Sequence, residues 1–541
     1  MKKVSENFIR KSLAARKKIT TKALVCWDKE FNPDRGFFIL DESHLDGLAV
    51  LWNGNQDVAA FADRYDYENE TQNIVKFSVS QKASKHPWGV IQGTASITLS
   101  NASGRYSPGK DSEIGRYVGL PNRPIKIQQE IDGESVNLFT GYAYRPTVTI
   151  QNSTLTIQAR DAISFLSGME SELPPITDKR IDEIIAMLLI EVGFDPSQFD
   201  LEEGLQDSIA FCAPNSEKIL TTIQNLCESE QYLVFADGDG MIHGWNALHF
   251  SVENEPVREF DTGSATAMSW STSSILNDVK IQATPYKVAD EAGTFYEMTE
   301  PNDDFLIPAN GELELFLSPE DGNNEAIYGL EVETPTYNGA TSKYLTNTAQ
   351  DGSGSTNKDA ISLTAFYNMN GQTMRLIFKN TSATPTYITY LSFFGTYAKK
   401  TYYTPTERSN SASIADYGVN PEESSAGDVY SIVSEYIQNR TFASYMAEIL
   451  VGNYSQPYGE ITLDIFPTPY IEFGDIVSAD TTISPLISTA NGGKRGIIFG
   501  MEVSGDKNGS YKQKIIMEQR QEVYAFVLDV SLLDSGDYLA Y

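Results

Sequence analysis

Cysteine and histidine are scarce in this chain, with three and four copies among 541 residues. Cys26, Cys212 and Cys227 are too widely spaced for a disulfide framework or a zinc cluster, and so few thiols are typical of folding in a reducing cytoplasm. The sequence also lacks any apolar run of 18 residues, which excludes a membrane-spanning helix. Hydrophobic residues make up 41% of the chain, enough for several cores, so a globally disordered protein is excluded too.

Motifs of catalysis are absent as well. The chain has no H-E-x-x-H, G-x-S-x-G, Walker A or C-x-x-C motif, and His243 and His249 are not spaced as metal ligands. The run DGDG at 237–240 resembles a calcium loop, but Met241 and Leu248 stand where that loop needs oxygen ligands, so a hairpin turn is predicted. We therefore predict no catalytic residue, no metal site and no cofactor. A carboxylate glycosidase stays open as an alternative, because 73 acidic residues supply many carboxylate pairs.

The charge is strongly one-sided. Seventy-three acidic residues outweigh 41 basic ones, which leaves a net charge of −32 that repels phosphate backbones and argues against binding of DNA or RNA; no sequence-specific nucleic-acid partner is expected. Residues 1–22 are the opposite, with eight basic residues and one acidic residue. Within this arm Val4, Phe8, Ile9 and Leu13 form the apolar stripe of a short basic helix. We expect the arm to dock on an acidic protein neighbour, such as another copy of this chain; a disordered tail and a targeting segment are the alternatives.

Alternation of apolar and polar residues predicts a mainly β protein. Runs such as ASITLS (95–100), RPIKIQ (123–128) and TLTIQA (154–159) alternate in this way, and Asn, Gly, Asp and Pro separate them, as antiparallel strands require. Three helices are predicted where apolar residues recur at helical spacing, at 178–192, 216–229 and 428–451.

A faint internal repeat links the two ends of the chain. Each copy has a strand, a Gly-containing turn into a second strand, an apolar strand with Gly, and a hairpin into a strand that ends in Arg. The copies begin at ASITLS (95–100) and GEITLDIF (459–466) and end at QARD (158–161) and MEQR (517–520). Gly141 precedes Arg160 by 19 residues, and Gly500 precedes Arg520 by 20. The sequence thus predicts two small β-barrels of one design, with a chance match as the alternative.

The motif order resembles one known family. The segment at 104–166, with GRYSPGK, NRPIKIQ, LFTGYAYRP and TLTIQARDAISFL in order, resembles bacteriophage tail hub proteins, also called baseplate hub or minor tail proteins. The matching residues are Pro108, Pro124, Gly141, Tyr142, Arg160, Asp161, Ala162 and Leu166. A second signature follows the third helix: the turn of Phe473, Gly474 and Asp475, then a strand pair that contains Gly500 and ends in MEQR. The stretch 212–245 resembles the small α/β element between the two barrels, and the likeness covers about 90–285 and 428–520.

The resemblance implies a structural virion protein. It implies a homotrimeric hub at the distal end of a phage tail, assembled in the host cytoplasm and forming part of the DNA channel. Two similar barrels per chain give six in a trimer, which matches a sixfold tail tube on one face and a threefold tip on the other. The implied partners are the tail tube or a distal tail protein, a spike, fibre or tip protein, and the tape measure protein. An acidic bore then lets DNA pass without binding, and plain solubility is the alternative explanation of the acidity.

Residues 286–402 depart from the minimal family pattern. Short alternating strands, turn residues and DGSGS at 351–355 predict an inserted β-sandwich of jelly-roll type. Exposed tyrosines in this segment would stack on sugar rings, whereas alternating tyrosines in a sandwich are more often half-buried packing. Glycan binding, contact with tail proteins or the host surface, and a decorative outer domain are the alternatives for the insertion. A host-surface adhesin that binds carbohydrate is therefore the alternative function, and a cell-wall-degrading tail enzyme is the third.

The predicted architecture is mainly β with an α+β element. Its divisions are a basic arm (1–22), hub barrel I (23–170), a small α/β domain (171–255), connecting strands (256–285), the inserted sandwich (286–402), a linker (403–427), a long helix (428–455), hub barrel II (456–525) and a carboxyl-terminal tail (526–541).

Overall fold

The protein is described here by a computed structural model. It describes residues 2–14, 17–27, 67–83, 88–107, 114–118, 122–144, 146–149, 151–214, 217–249, 256–272, 275–298, 305–318, 327–367, 373–420, 429–456, 459–479, 495–507 and 510–518. Pro108, Arg520 and the predicted tail at 526–541 lie outside these ranges.

The first part of the chain forms antiparallel strands where apolar residues alternate. In the last strand Leu155, Ile157 and Ala159 are buried while the residues between them are not, so one face packs into a core. The elements are α1 (Glu6–Ser12), β1 (Thr20–Val25), β2 (Glu68–Asn69), β3 (Ile74–Lys82), β4 (Gly89–Ile91), β5 (Gly93–Ser100), α2 (Gly115–Val118), β6 (Arg123–Ile131), β7 (Glu134–Ala143), β8 (Thr147–Thr149) and β9 (Thr154–Arg160).

A small α/β unit follows. Its elements are α3 (Ile181–Val192), β10 (Phe199–Leu201), α4 (Ile219–Glu230), β11 (Leu233–Ala236) and β12 (Ile242–Trp245). The strands pair in the order β10-β12-β11-β4, so β4 leaves the first β unit to join this sheet. The predicted apolar stripes of both helices, including Cys227, are buried in one core beneath it. Both helices are found within three residues of their predicted ends.

The second β unit is split along the sequence. It takes β13 (Arg258–Phe260) and β14 (Ala265–Thr272) from before the insertion and β28 (Gly459–Ile465), β29 (Ile476–Ala479), β30 (Arg495–Asp506) and β31 (Tyr511–Glu518) from after it. The segment 256–285, predicted as connecting strands, thus contributes β13 and β14 to this unit, and β14 pairs along its length with β28.

Between these parts lies the predicted insertion. It comprises β16 (Tyr286–Val288), β17 (Gly293–Met298), β18 (Leu306–Ile307), β19 (Glu312–Leu317), β20 (Ile327–Val332), β21 (Thr336–Tyr337), β22 (Lys343–Asn347), β23 (Ile361–Tyr367), β24 (Met374–Asn380) and β25 (Thr386–Lys400). One sheet is built around β25, the other is β19-β24-β23, and the two share a core. Where the insertion begins and ends, Tyr286 pairs with Lys400, and the Thr401 amide donates to the Pro285 carbonyl at 2.8 Å.

The third predicted helix is shorter than expected. The segment 403–455 contains β26 (Thr406–Ser409), α5 (Ser411–Tyr417), β27 (Tyr430–Ser434) and α6 (Arg440–Tyr454), and β15 (Asp278–Ala283) pairs between β26 and β27. The prediction of a helix from 428 is wrong because the β-branched residues of YSIVS extend along β15. The helix begins after Asn439, whose side chain accepts the Phe442 amide as an N-cap.

The two β units join in one 14-stranded sheet with the path β14-β28-β31-β30-β3-β5-β9-β7-β6-β1-β2. The prediction of a mainly β chain with an α+β element is confirmed, whereas the count of two separate barrels stays a prediction. A single core runs under both units, from Phe8 and Trp27 to Leu463 and Met517.

Candidate functional site

Three predicted motif residues form a row across the first β unit. Pro124 on β6 stands opposite Tyr142 on β7, and Tyr142 stands opposite Arg160 on β9. The Tyr142 ring packs edge-on against Phe165 at 4.6 Å, and the Arg160 guanidinium lies 4.2 Å from the centre of the Tyr144 ring. Gly141 directly precedes Tyr142 along β7. A Cβ on Gly141 would lie 2.3 Å from the Arg160 carbonyl oxygen, so only glycine fits. Strand pairing therefore brings these residues together.

Asp161 directly follows Arg160, the last residue of β9, and its carboxylate is buried. Its Oδ2 accepts the Gly93 amide, while its Oδ1 is buried without a hydrogen-bond partner among the described residues. Burial raises the pKa of Asp161 to about 7, and the Gly93 hydrogen bond opposes that shift only in part. The carboxyl group therefore changes protonation near neutral pH.

Gly474 and Asp475, from the second predicted signature, lie in a turn that precedes β29 in the second unit. Gly474 has φ +85°, and a Cβ there would meet the Trp245 ring of the α/β unit at 2.3 Å. The Asp475 side chain accepts the Glu472 amide at 2.8 Å and closes the turn. Burial raises the pKa of Asp475. The turn thus fixes the second β unit against the α/β unit.

Pairing order shows how far the two units are alike. In the first, β3, β5, β9, β7 and β6 pair in that order; in the second, β14, β28, β31, β30 and β29 do the same, and every pair is antiparallel. The first two strands of each unit carry a bulge at the same place, between Ile74 and Lys76 and between Ala265 and Ala267. The internal repeat is therefore a repeat of topology as well as of pattern.

The registers also align individual residues. Arg160 pairs with Thr94 as Glu518 pairs with Glu460, so Arg160 corresponds to Glu518. Tyr142 faces Arg160 as Ile497 faces Glu518, so Gly141 corresponds to Gly496. The alignment of Gly141 with Gly500 is thus wrong by four residues.

Sequence reasoning missed two of these counterparts. Gly496 was not singled out, although a Cβ there would lie 2.8 Å from the Glu518 carbonyl oxygen. Asn122 corresponds to Gly474: its φ is +59°, and its amide donates to the Ala143 carbonyl as the Gly474 amide donates to that of Ile498. Asn is the non-glycine residue that best tolerates this left-handed conformation, which was the available signal.

The two units are joined through strand pairing. β3 of the first unit pairs antiparallel with β30 of the second over seven residue pairs from Lys76↔Asp506 to Lys82↔Gly500. Gly500, the last of the predicted site residues, lies at the end of this joint. The three atoms nearest to an added Cβ there belong to the Ile516 side chain, at 2.9 to 3.1 Å.

A cavity of about 770 Å³ lies where the two β units meet the α/β unit. Six carboxylates outnumber the two lysines, Lys2 and Lys3, in its lining: Asp161, Asp200, Asp237, Asp239, Glu472 and Asp475. Lys2 is the buried cation among them, with its Nζ 3.9 Å from Glu472 Oε1. Burial lowers the pKa of Lys2 and raises that of Glu472 to about 7.

The basic arm docks on its own chain. The Lys2 amide donates to the Tyr470 carbonyl at 3.1 Å in the second unit, and the Ser5 amide donates to Glu134 at 2.8 Å in the first. Phe8 is 1% exposed and packs into the shared core, and Lys17 Nζ donates to the Pro467 carbonyl. The expectation that the arm docks on a neighbouring molecule is corrected for these residues, because the acidic and apolar surface it needs lies within the same chain.

Within the described ranges, no helix is long and apolar enough to cross a membrane, and no group of three or more His, Cys, Asp or Glu side chains is placed to hold a metal ion.

Comparison of structures finds similar folds among tail proteins. The chain is similar to the tail protein from Neisseria meningitidis MC58, with a TM-score of 0.42, 8% identity, and 84% of this chain and 94% of that chain covered. It is similar to the 43 kDa tail protein of prophage MuSo2 from Shewanella oneidensis (TM-score 0.42, 9% identity, 84% and 95% covered). It is also similar to the prophage tail protein gp18 from Listeria monocytogenes EGD-e (TM-score 0.38, 9% identity, 85% and 93% covered). No family model matches the sequence, and no curated protein matches it.

Proposed function

We propose that this chain is a non-enzymatic structural protein of a phage tail: a homotrimeric hub that joins the sixfold tail tube to the threefold tip or spike. The observation that carries the proposal is the repeated β unit. Two units with the same five-strand order and the same bulge position lie side by side in one chain. Three copies then present six similar units to a sixfold ring and keep threefold symmetry elsewhere.

The charge supports a role around passing DNA. A trimer carries three times the net charge of −32, and a channel lined by carboxylates gives phosphate groups few cationic partners. The basic arm does not alter this, because Lys2, Lys11 and Lys17 are engaged with acceptors of the same chain. We place such a hub in the virion tail, assembled in the host cytoplasm, with tube, tip and tape measure proteins as neighbours.

Size-exclusion chromatography with light scattering tests the proposal. The purified chain of 59.9 kDa is expected to give a particle of three times that mass at high micromolar concentration. A dimer, a tetramer or a monomer at every concentration contradicts the trimeric hub. Infection assays with phage that carry variants of this protein then test the tail role, because a hub variant that fails to assemble leaves tails incomplete.

A carbohydrate-binding adhesin is a second candidate, favoured by one surface of the insertion. On the open face of β19-β24-β23, Phe316 is 65% exposed and Phe366 46% exposed, with Arg375 paired between them. Arg375 lies 5.4 Å from the Phe366 ring centre and forms an ion pair with Glu314. Aromatic faces beside hydrogen-bonding groups suit the apolar face and hydroxyls of a sugar. Binding to a glycan array that is lost in Phe316→Ala with Phe366→Ala supports the adhesin; an array without binding removes it.

A further inference from the structure

Each β unit uses one of its strands to pair with the other unit, and one equivalent pair of strand edges has no partner among the described strands. The first strand of unit one, β3, pairs with the fourth strand of unit two, β30. The first strand of unit two is β14, and the fourth strand of unit one continues from β7 into β8. Among the described strands β14 pairs only with β28, and β8 pairs only with β9, so each has one unpaired edge. Unpaired edges are templates for another strand.

We infer that β14 of one copy pairs antiparallel with β8 of the next copy, in the same register that β3 and β30 use inside the chain. This inference rests on the proposed trimeric hub and specifies its interface. The partner strand belongs to a second copy for two reasons. The equivalent pairing already exists within the chain, between β3 and β30. The complementary edge, that of β8, lies at the opposite end of the two repeated units from β14.

The bulges fix the register on the β14 side. Lys76 pairs with Thr98 just after the bulge in β3, and Ala267 pairs with Asp464 just after the bulge in β14, so Lys76 corresponds to Ala267. Counting along both strands, Ser78 corresponds to Ser269.

The pairing with the last strand of each unit fixes the register on the β8 side. Thr149 pairs with Thr154 in β9, and Ser504 pairs with Lys512 in β31. Because Arg160 corresponds to Glu518, Thr154 corresponds to Lys512 and Thr149 to Ser504. Within the chain Ser78 pairs with Ser504. Between copies, Ser269 therefore pairs with Thr149, and the neighbouring pairs are Trp270 with Val148 and Ser271 with Thr147.

The vacant edges suit such an interface. Thr266, Ala267 and Ser269 on β14 are exposed, as is Thr147 on β8, and none of these side chains carries a charge that would oppose pairing. Pro146 precedes β8 and lacks an amide hydrogen, so we expect a shorter ladder between copies than the seven pairs within the chain. The contact joins two different surfaces, which closes a ring when the rotation per copy is one third of a turn.

Disulfide cross-linking tests the register in the full-length chain. Facing residues of antiparallel strands have Cα atoms about 4.5 to 5.5 Å apart, within the range a disulfide spans. The native cysteines are all buried, so introduced surface cysteines are the ones that react. Under mild oxidation Ser269→Cys with Thr149→Cys is expected to give covalent dimers and trimers on non-reducing gels, and either single variant only monomers.

Two matched variants control the experiment. Ser78→Cys with Ser504→Cys is the equivalent pair inside the chain and is expected to form a disulfide without a gain in mass. Thr266→Cys with Thr149→Cys is displaced by three residues, about 10 Å along the strand, and is expected not to cross-link.

The outcomes separate this inference from the proposed function. A trimer by light scattering without the Ser269–Thr149 cross-link, while the Ser78–Ser504 control oxidises, overturns the strand pairing and leaves the hub. A chain that is monomeric and does not cross-link overturns both. A ladder of covalent species beyond three copies keeps the strand pairing and overturns the closed trimer.

Discussion

The two β units have the same pairing order but differ in how they hold their neighbours. In the first, β6 and β7 form a long hairpin of nine residue pairs, and its tip carries the basic arm through Asp132 and Glu134. In the second, the described residues of β29 pair with β30 over three residues, and a different part of β30 pairs with β3 over seven. Strand order is thus common to both units, but their partners differ: the hairpin of the first unit binds the basic arm, whereas β30 of the second unit binds the first unit through β3.

The largest effect is expected from glycines that face backbone. Gly141→Ala places a Cβ 2.3 Å from the Arg160 carbonyl oxygen, and Gly496→Ala places one 2.8 Å from that of Glu518. Because backbone cannot move aside cheaply, each is expected to lower the free energy of unfolding by about 3 kcal/mol. Gly500→Ala meets the Ile516 side chain and is expected to cost about 1 kcal/mol.

Urea unfolding of the purified variants measures this order. Gly452→Ala is the matched control: it lies in helix α6 with nothing within 4 Å of the added Cβ, so it is expected to stabilise by about 0.5 to 1 kcal/mol. If Gly500→Ala destabilises more than Gly496→Ala, the alignment of Gly141 with Gly496 is wrong.

The next largest difference in stability is expected between variants of the two turns with a left-handed residue, Gly474 and Asn122. Gly474→Ala combines φ +85° with a clash against Trp245, whereas Asn122→Ala meets only the left-handed conformation at φ +59°. We expect a loss of about 2 to 3 kcal/mol for the first and about 1 kcal/mol for the second, from thermal unfolding. Asn122→Gly serves as the control and is expected to be neutral or slightly stabilising. Equal losses for both alanine variants contradict the contact between Gly474 and Trp245.

Stability is expected to depend on pH through Asp161. Burial raises its pKa from 3.8 to about 7, so the folded state holds the proton more tightly than the unfolded state. The contribution of this group to stability is therefore full below about pH 4 and is lost as pH rises to about 7, by roughly 4 kcal/mol at most. Asp161→Asn removes that slope, so its Tm is expected to change less than the wild-type Tm between pH 5 and pH 8.

Asp416→Asn, at an exposed position on α5, is the control for the general effect of lost charge. An unchanged slope in Asp161→Asn, equal to that of the wild type and of Asp416→Asn, contradicts a buried carboxyl group at Asp161 whose hydrogen bonds compensate its burial only in part.

The smallest effect is expected from removing the insertion. Pro285 and Thr401 are already hydrogen-bonded at 2.8 Å, so a short Gly/Ser bridge in place of 286–400 closes the gap without moving β15 or β26. We expect the two β units to keep their Tm within a few degrees by calorimetry. Loss of the cooperative transition contradicts the insertion boundary.

Sequence pattern predicted the kind of each element better than its partners. Alternation found the strands, and helical spacing found α3 and α4, because both signals are local. The register of the repeat was missed because the last hairpin is longer in the second unit. Ser504 pairs with Lys512, eight residues on, whereas Thr149 pairs with Thr154, five residues on, which shifts any count of residues from the glycine to the strand end. The site of the arm was missed because an apolar stripe such as Val4 and Phe8 does not say which surface covers it. The sequence predicts a helix at β27 because Ile432 and Val433 fit the spacing of apolar residues in a helix as well as that in a strand.

Electron cryomicroscopy of the purified assembly tests the central claim most directly, that one β unit is used twice in each chain. The account predicts a ring of six similar lobes with threefold symmetry, in which the contact within a chain and the contact between chains superimpose strand for strand. A ring of another multiplicity, or contacts of two unrelated kinds between the lobes, contradicts it.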